Sequence, residues 1–122
     1  LILVDSSVWI DHFRSSEADL VLLITQSQVL QHPYVTAEIM LGNIKNRLQV
    51  TAYLNDLMQV PPGPQSALIA FIDAHKLYGT GIGLVDAALL AAAKLTDNCS
   101  LWTRDKRLAF QADRLGCLAA LK

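Results

Sequence analysis

The sequence predicts an α/β domain built on a mainly parallel sheet, and three observations carry that prediction. Short apolar runs such as "LILV", "VLQH" and "CSLWT" lack polar alternation, as expected of strands buried on both faces. Longer stretches of helical spacing lie between them, and strands alternating with helices imply parallel pairing. The 122 residues, of which 52% are hydrophobic, suit one domain with one core, spanning residues 1–122.

In order along the chain, "LILV" is a buried strand, and "SSVWIDHFR" begins with hydroxyls that cap a helix. "EADLVLLITQSQ" reads as a second helix, and "VLQH" as a short strand closed by Pro33. From Tyr34 to about Gln49 the apolar positions Val35, Ile39, Met40, Ile44 and Leu48 predict a helix, with another through Leu57. "MQVPPG" is a brief strand ended by a Pro-Pro-Gly turn. "PQSALIAFIDAHKLYG" starts at proline and stops at glycine, the usual punctuation of a helix. "TGIG" is a loop leading into "LVDAALLAAAKL", a helix apolar on nearly every side and therefore expected to be buried. "CSLWT" is a strand, "RDKRLAFQADRLG" a helix, and "CLAAL" a final strand.

Composition narrows the function classes. No apolar run approaches the ~20 residues that span a bilayer, and no basic leader with a small-residue cleavage site opens the chain. The expectation is a soluble cytoplasmic protein with no membrane partner. Cys99 and Cys117 form no CxxC pair, and His12, His32 and His75 are scattered, so neither predicts a zinc or redox site. The formal net charge of −1 speaks against a broad basic surface, yet bound cations can supply positive charge locally to a nucleic-acid substrate.

The placement of acids gives the chemistry. In a parallel α/β sheet each crossover helix begins at the edge where strands end, and ligands collect at that edge. Asp5 follows the first strand, Glu38 lies near the start of its helix, Asp86 opens the most apolar helix, and Asp105 follows "CSLWT". Each also has a plainer reading as a helix cap that complements the dipole. Together, however, four carboxylates on one rim repel one another and raise some of their pKa values. A divalent cation relieves that repulsion, and oxygen-only ligands favour Mg²⁺ or Mn²⁺. Ser6, Ser7 and Thr103 are placed to hydrogen-bond the carboxylates. Such a site suits phosphodiester hydrolysis.

The segments "LVDSSVWIDHF", "TAEIMLG", "GIGLVDAALLAAA" and "LWTRDKRL" resemble those that carry the acids of the PIN domain, and their wording resembles bacterial VapC toxins. The resemblance covers nearly the whole chain. It implies a three-layer α/β/α sandwich and Mg²⁺- or Mn²⁺-dependent endoribonuclease activity. It further implies an RNA substrate involved in translation, a homodimer, and a toxin neutralised by a cognate VapB-like antitoxin. By position, Asp5, Glu38 and Asp86 become metal ligands and catalytic acids; Asp105 becomes the fourth acid; Thr103 and Ser6 match the supporting hydroxyls. Arg104, Lys106 and Arg107, with Arg14 and Arg47, are candidate contacts to the RNA backbone, each with an alternative reading as a solvated helix charge. Trp9 and Trp102 fall within apolar patterns and are expected in the core.

Two other classes share the length and the acidic rim. A phospho-signalling receiver domain has a similar first strand, but needs a second acid beside Asp5, where Ser6 and Ser7 stand, and an acceptor aspartate that "MQVPPG" lacks. A catalytically silent α/β binding module would use the same acids only as caps, and metal titration separates it from a nuclease.

Overall fold

The computed structural model describes residues 1–122. Four short strands, β1 (Ile2–Val4), β2 (Val29–Gln31), β3 (Met58–Gln59) and β4 (Ser100–Trp102), form one sheet in the order β3-β2-β1-β4, and every pairing is parallel. The register sets Leu3 beside Leu30 and Leu101. These leucines are 0–4% exposed, as non-alternating strands covered on both faces should be.

Seven helices make the crossovers: α1 (Ser6–Arg14), α2 (Ala18–Thr25), α3 (Pro33–Leu41), α4 (Arg47–Asp56), α5 (Gln65–Ala74), α6 (Leu84–Leu95) and α7 (Lys106–Arg114). They pack in two groups, α1 with α3 and α4, and α6 with α5 and α7. Right-handed crossovers account for this division. The chain steps outward from β1 to β3 through α1 to α4, then returns past β1 to β4 through α5 and α6, which covers the other face. The result is the α/β/α sandwich. One cluster of 24 buried hydrophobic residues fills it, including both tryptophans, Trp9 and Trp102.

Several boundaries differ from the sequence expectation. The helix expected from Tyr34 to about Gln49 is broken: α3 stops at Leu41, and α4 begins only after Asn46, whose φ is 58°. Gly42 and two asparagines disfavour helix here, and the Arg47 guanidinium staples the break by donating to the Gly42 carbonyl at 3.1 Å. Leu48, which the apolar spacing placed on one face with Val35 and Ile39, is 88% exposed. The expected strand "CLAAL" shrinks to one parallel bridge, Leu101 with Leu118, held by Leu101 N–H to the Cys117 carbonyl and Ala119 N–H to the Leu101 carbonyl.

Helices α2 and α5 end earlier than expected, at Thr25 and Ala74. Each closes on a left-handed residue, Ser27 and Lys76, with paired amide bonds back into the last turn (Gln28 to Leu23 and Ser27 to Ile24; Leu77 to Ile72 and Lys76 to Asp73). Helix α6 buries Ala87, Ala88, Leu89, Leu90 and Ala93 as expected, although Leu84 and Leu95 at its ends are exposed. No helix is long and apolar enough to cross a membrane.

Candidate active site

The strand order has a switch point. Crossovers leave β1 in one direction and return to β4 in the other, the topology at which the loops after two neighbouring strands part to form a crevice in open α/β sheets. Asp5 follows β1 and Thr103 to Asp105 follow β4, so the sheet brings both segments to that crevice. Glu38 comes from the body of α3 and Asp86 from the first turn of α6.

Asp5 stands at the N-cap position of α1, yet its side chain makes no capping bond. Instead the buried carboxylate faces hydroxyls. Its Oδ2 accepts from Ser7 at 2.7 Å and from Thr103 at 2.8 Å. The direction of these bonds is fixed by two backbone amides. Arg104 N–H donates to Ser7 Oγ at 3.0 Å and Asp105 N–H donates to Thr103 Oγ1 at 3.1 Å, leaving each hydroxyl proton for Asp5. The other oxygen, Oδ1, has only Ser6 Oγ at 3.5 Å, at the outer limit of a hydrogen bond. Ser6 spends its single proton on Glu38 Oε1, which is closer at 3.1 Å. One oxygen of Asp5 is thus locked and the other is nearly bare.

Glu38 and Asp86 are half-buried, and both carboxyls are pushed above the ordinary carboxylate range. Burial is the main cause for each. For Glu38, the negative charges of Asp5 and Asp86 add to it and the Ser6 hydrogen bond opposes it. For Asp86, the charges of Asp5 and Asp105 add to it and the Gly83 amide opposes it. The mutual repulsion shows that the four acids share one electrostatic neighbourhood. Asp105 is exposed and caps α7, accepting from Leu108 N–H at 3.0 Å. No basic side chain forms an ion pair with any of the four; the molecule's two ion pairs both belong to Arg104.

The donor set fits a hard divalent cation: four carboxylates, no nitrogen or sulfur, and no basic counter-charge. As the side chains stand, no three acids, histidines or cysteines converge closely enough to hold one ion. Among the histidines, Nδ1 of His12 and His32 accept backbone amides from Glu17 and Tyr34.

The basic candidates separate. Arg104 is committed inside the protein, with Nη1 bonded to Asp11 at 2.7 Å and Glu17 at 2.8 Å, and Nε and Nη2 bonded to the Lys122 carbonyl. Each of its three guanidinium nitrogens thus has a partner within the protein, in place of the RNA contact expected of it. Arg47 is tied to the Gly42 carbonyl. Arg107 is exposed and lies across the loop before α6, reaching the Gly81 carbonyl at 3.4 Å. Glycine is favoured there, since its φ of +84° is strained for a residue with a Cβ. Lys106 and Arg14 are exposed and form no ion pair.

Sequence reasoning passed over Asp11, Glu17 and Gln31. Gln31 is fully buried and joins Trp9 Nε1, at 3.1 Å, to Thr36 Oγ1, at 2.9 Å, which fastens α3 to α1. A glutamine inside a strand with no polar alternation was the one available signal.

A parallel sheet with acids at its switch point is the arrangement that the resemblance to a PIN domain implies. The PIN domain family matches residues 2–113, and the chain belongs to it. Among curated relatives, the chain is 43% identical over 108 residues to "Ribonuclease VapC32" of Mycobacterium tuberculosis, in two strains. That match covers 88% of this chain and 87% of the relative. This membership removes the receiver-domain reading.

Proposed function

We propose that residues 1–122 form one nuclease domain that hydrolyses RNA phosphodiester bonds with Mg²⁺ or Mn²⁺, acting as the toxin of a toxin–antitoxin pair and inhibiting translation. The observation that carries this reading is the state of Asp5: a buried carboxylate at the sheet's switch point with one oxygen locked by two hydroxyls and the other nearly bare. Family membership and the similarity to a protein named as a ribonuclease support it.

In this reading Asp5, Glu38 and Asp86 hold the cation, and Asp105 completes the acidic rim. Drawing them onto one ion requires Glu38 and Asp86 to move, which their freedom from ion pairs permits. The ion, when bound, supplies charge neutralisation at the scissile phosphate and acidifies the attacking water. The protein's own part is to orient. Ser7 and Thr103 fix Asp5, Ser6 steers Glu38, and the first turn of α6 carries Asp86. Lys106, Arg107 and Arg14 are the proposed contacts to the RNA backbone. A VapB-like antitoxin, a homodimer and a cytoplasmic location complete the proposal, each on family resemblance.

The test is cleavage of host RNA by purified protein with Mg²⁺ or Mn²⁺, with EDTA, and with D5N, E38Q or D86N. Activity lost in EDTA and reduced at least ~100-fold in each folded variant supports the reading. Cleavage that survives EDTA, or all three variants as active as wild type, refutes it.

A further inference from the structure

Arg104 stands one residue before the fourth acid, where sequence suggested a hand for RNA, and the structure gives it different work. Its guanidinium gathers Asp11 from α1, Glu17 from the start of α2, and the Lys122 carbonyl, and lies 5.7 Å over the Trp102 ring. Its side chain is 25% exposed, and its two carboxylate partners are 44% and 29% exposed. Four polar contacts on one planar group fix it in place, and each comes from a segment distant in sequence.

The backbone of the same residue does the second job. Arg104 N–H donates to Ser7 Oγ at 3.0 Å, and Ser7 Oγ in turn donates to Asp5 Oδ2 at 2.7 Å. An amide can hold a hydroxyl's direction only if the loop carrying it is itself held. The loop from Thr103 to Asp105 lies outside β4 and α7, so the sheet ladder does not fix it. The Arg104 side chain ties this loop to α1, the helix that carries Ser7, through Asp11. Both ends of the Ser7 relay are thereby kept in register.

We propose that Arg104 is a positioning residue for Asp5: its ion pairs with Asp11 and Glu17 hold the Arg104 amide on Ser7, and Ser7 presents the bare oxygen of Asp5 to a divalent cation. The inference rests on the proposed metal-dependent reading of this site. It places Asp11 and Glu17 in the activity although neither lies at the acidic rim.

The experiment measures Mn²⁺ affinity by calorimetric titration, without RNA, alongside kcat and KM for cleavage. The proteins are wild type, R104A, the double variant D11N/E17Q, S7A, and S7A combined with R104A. R104A and D11N/E17Q are expected to weaken Mn²⁺ binding and lower kcat by about 10-fold, as loss of a group that orients a ligand does. KM for RNA is expected to stay within about 2-fold. The combined variant should bind Mn²⁺ no worse than S7A alone, because both changes break one relay. D11N/E17Q keeps the arginine, so it answers the question even where R104A fails to fold. A raised KM in R104A with unchanged Mn²⁺ affinity overturns the inference and makes Arg104 an RNA contact. So does D11N/E17Q binding Mn²⁺ as wild type does, or losses in S7A and R104A that multiply. Wild-type protein that takes up no Mn²⁺ overturns the metal-dependent reading and this inference with it; a defect confined to the comparison of variants touches this inference alone.

Discussion

Replacing Glu38 with glutamine should stabilise the metal-free protein while abolishing its activity. The exchange keeps the shape of the side chain and the acceptor for Ser6, and removes one negative charge from the rim. Ser6 Oγ lies 3.5 Å from Asp5 Oδ1 and 3.1 Å from Glu38 Oε1, so these two oxygens are at most about 6.6 Å apart, where two unit charges repel by roughly 0.6 to 2.5 kcal/mol for effective dielectric constants of 80 to 20. Glu38 is half-buried on a solvent-facing rim, so the lower part of that range applies, about 1 kcal/mol. For a domain of this length that is about 4 °C in Tm.

The sign with pH follows from the direction of the shift. Glu38 and Asp86 both hold their protons more tightly in the folded state than in the unfolded chain. Their contribution therefore favours the fold most in acid, and is lost as pH rises through their folded-state values. Thermal melts in EDTA should show E38Q above wild type at about pH 8 and the two converging as pH falls below about 4, where Glu38 becomes protonated in both states. Adding Mg²⁺ should reverse the order at neutral pH. Wild type gains about 2.7 kcal/mol at one hundred times its Kd, and the variant gains much less. An E38Q protein that melts below wild type in EDTA at neutral pH, or a gap that does not change with pH, refutes the reasoning.

Two further outcomes follow from buried hydrogen bonds. T103V removes the hydroxyl that donates to Asp5 and accepts from Asp105 N–H, and should cost about 2 kcal/mol in chemical denaturation and at least ~10-fold in cleavage, whereas T103S keeps both bonds and should cost less than ~1 kcal/mol. Q31L orphans the Trp9 indole N–H and the Thr36 hydroxyl inside the core, and should lower stability by about 3 kcal/mol in urea melts. A Q31L protein as stable as wild type would show that this network is dispensable.

The sequence made legible what depends on periodicity and on side chains with one strong preference. The buried strands before Asp5 and Thr103 follow from unbroken apolar runs, and α6 from its alanines and leucines. The C-terminus of α7 followed from Gly116, a glycine with φ of 77° that closes the helix. Helices α2 and α5 close with the same bonding pattern, but on Ser27 and Lys76, residues that carry no such signal, so both were read too long. The break between α3 and α4 was hidden by Ile44 and Leu48, whose spacing continues that of Val35, Ile39 and Met40 although Leu48 is exposed.

At the site, the placement of Asp5, Asp86 and Asp105 was legible because topology dictates where strand ends and helix starts meet; Glu38, in the body of α3, lies outside that rule. The roles of individual hydroxyls were not legible, because they depend on which amide reaches which oxygen. Asp5 and Asp105 illustrate the difference. Both occupy N-cap positions; Asp105 caps its helix, and Asp5 turns away from that task toward Ser7 and Thr103. The pairing of Arg104 was hidden for a related reason, since its partners Asp11 and Glu17 lie far away in sequence.

The most direct test of the shared acidic pocket is a crystal structure with Mn²⁺, using its anomalous signal to locate the ion. The account predicts a peak at the crevice between β1 and β4, bound by Asp5 through Oδ1 together with Glu38 and Asp86. Saturating Mn²⁺ with no peak there, and Asp5 still bonded only to hydroxyls, would contradict it.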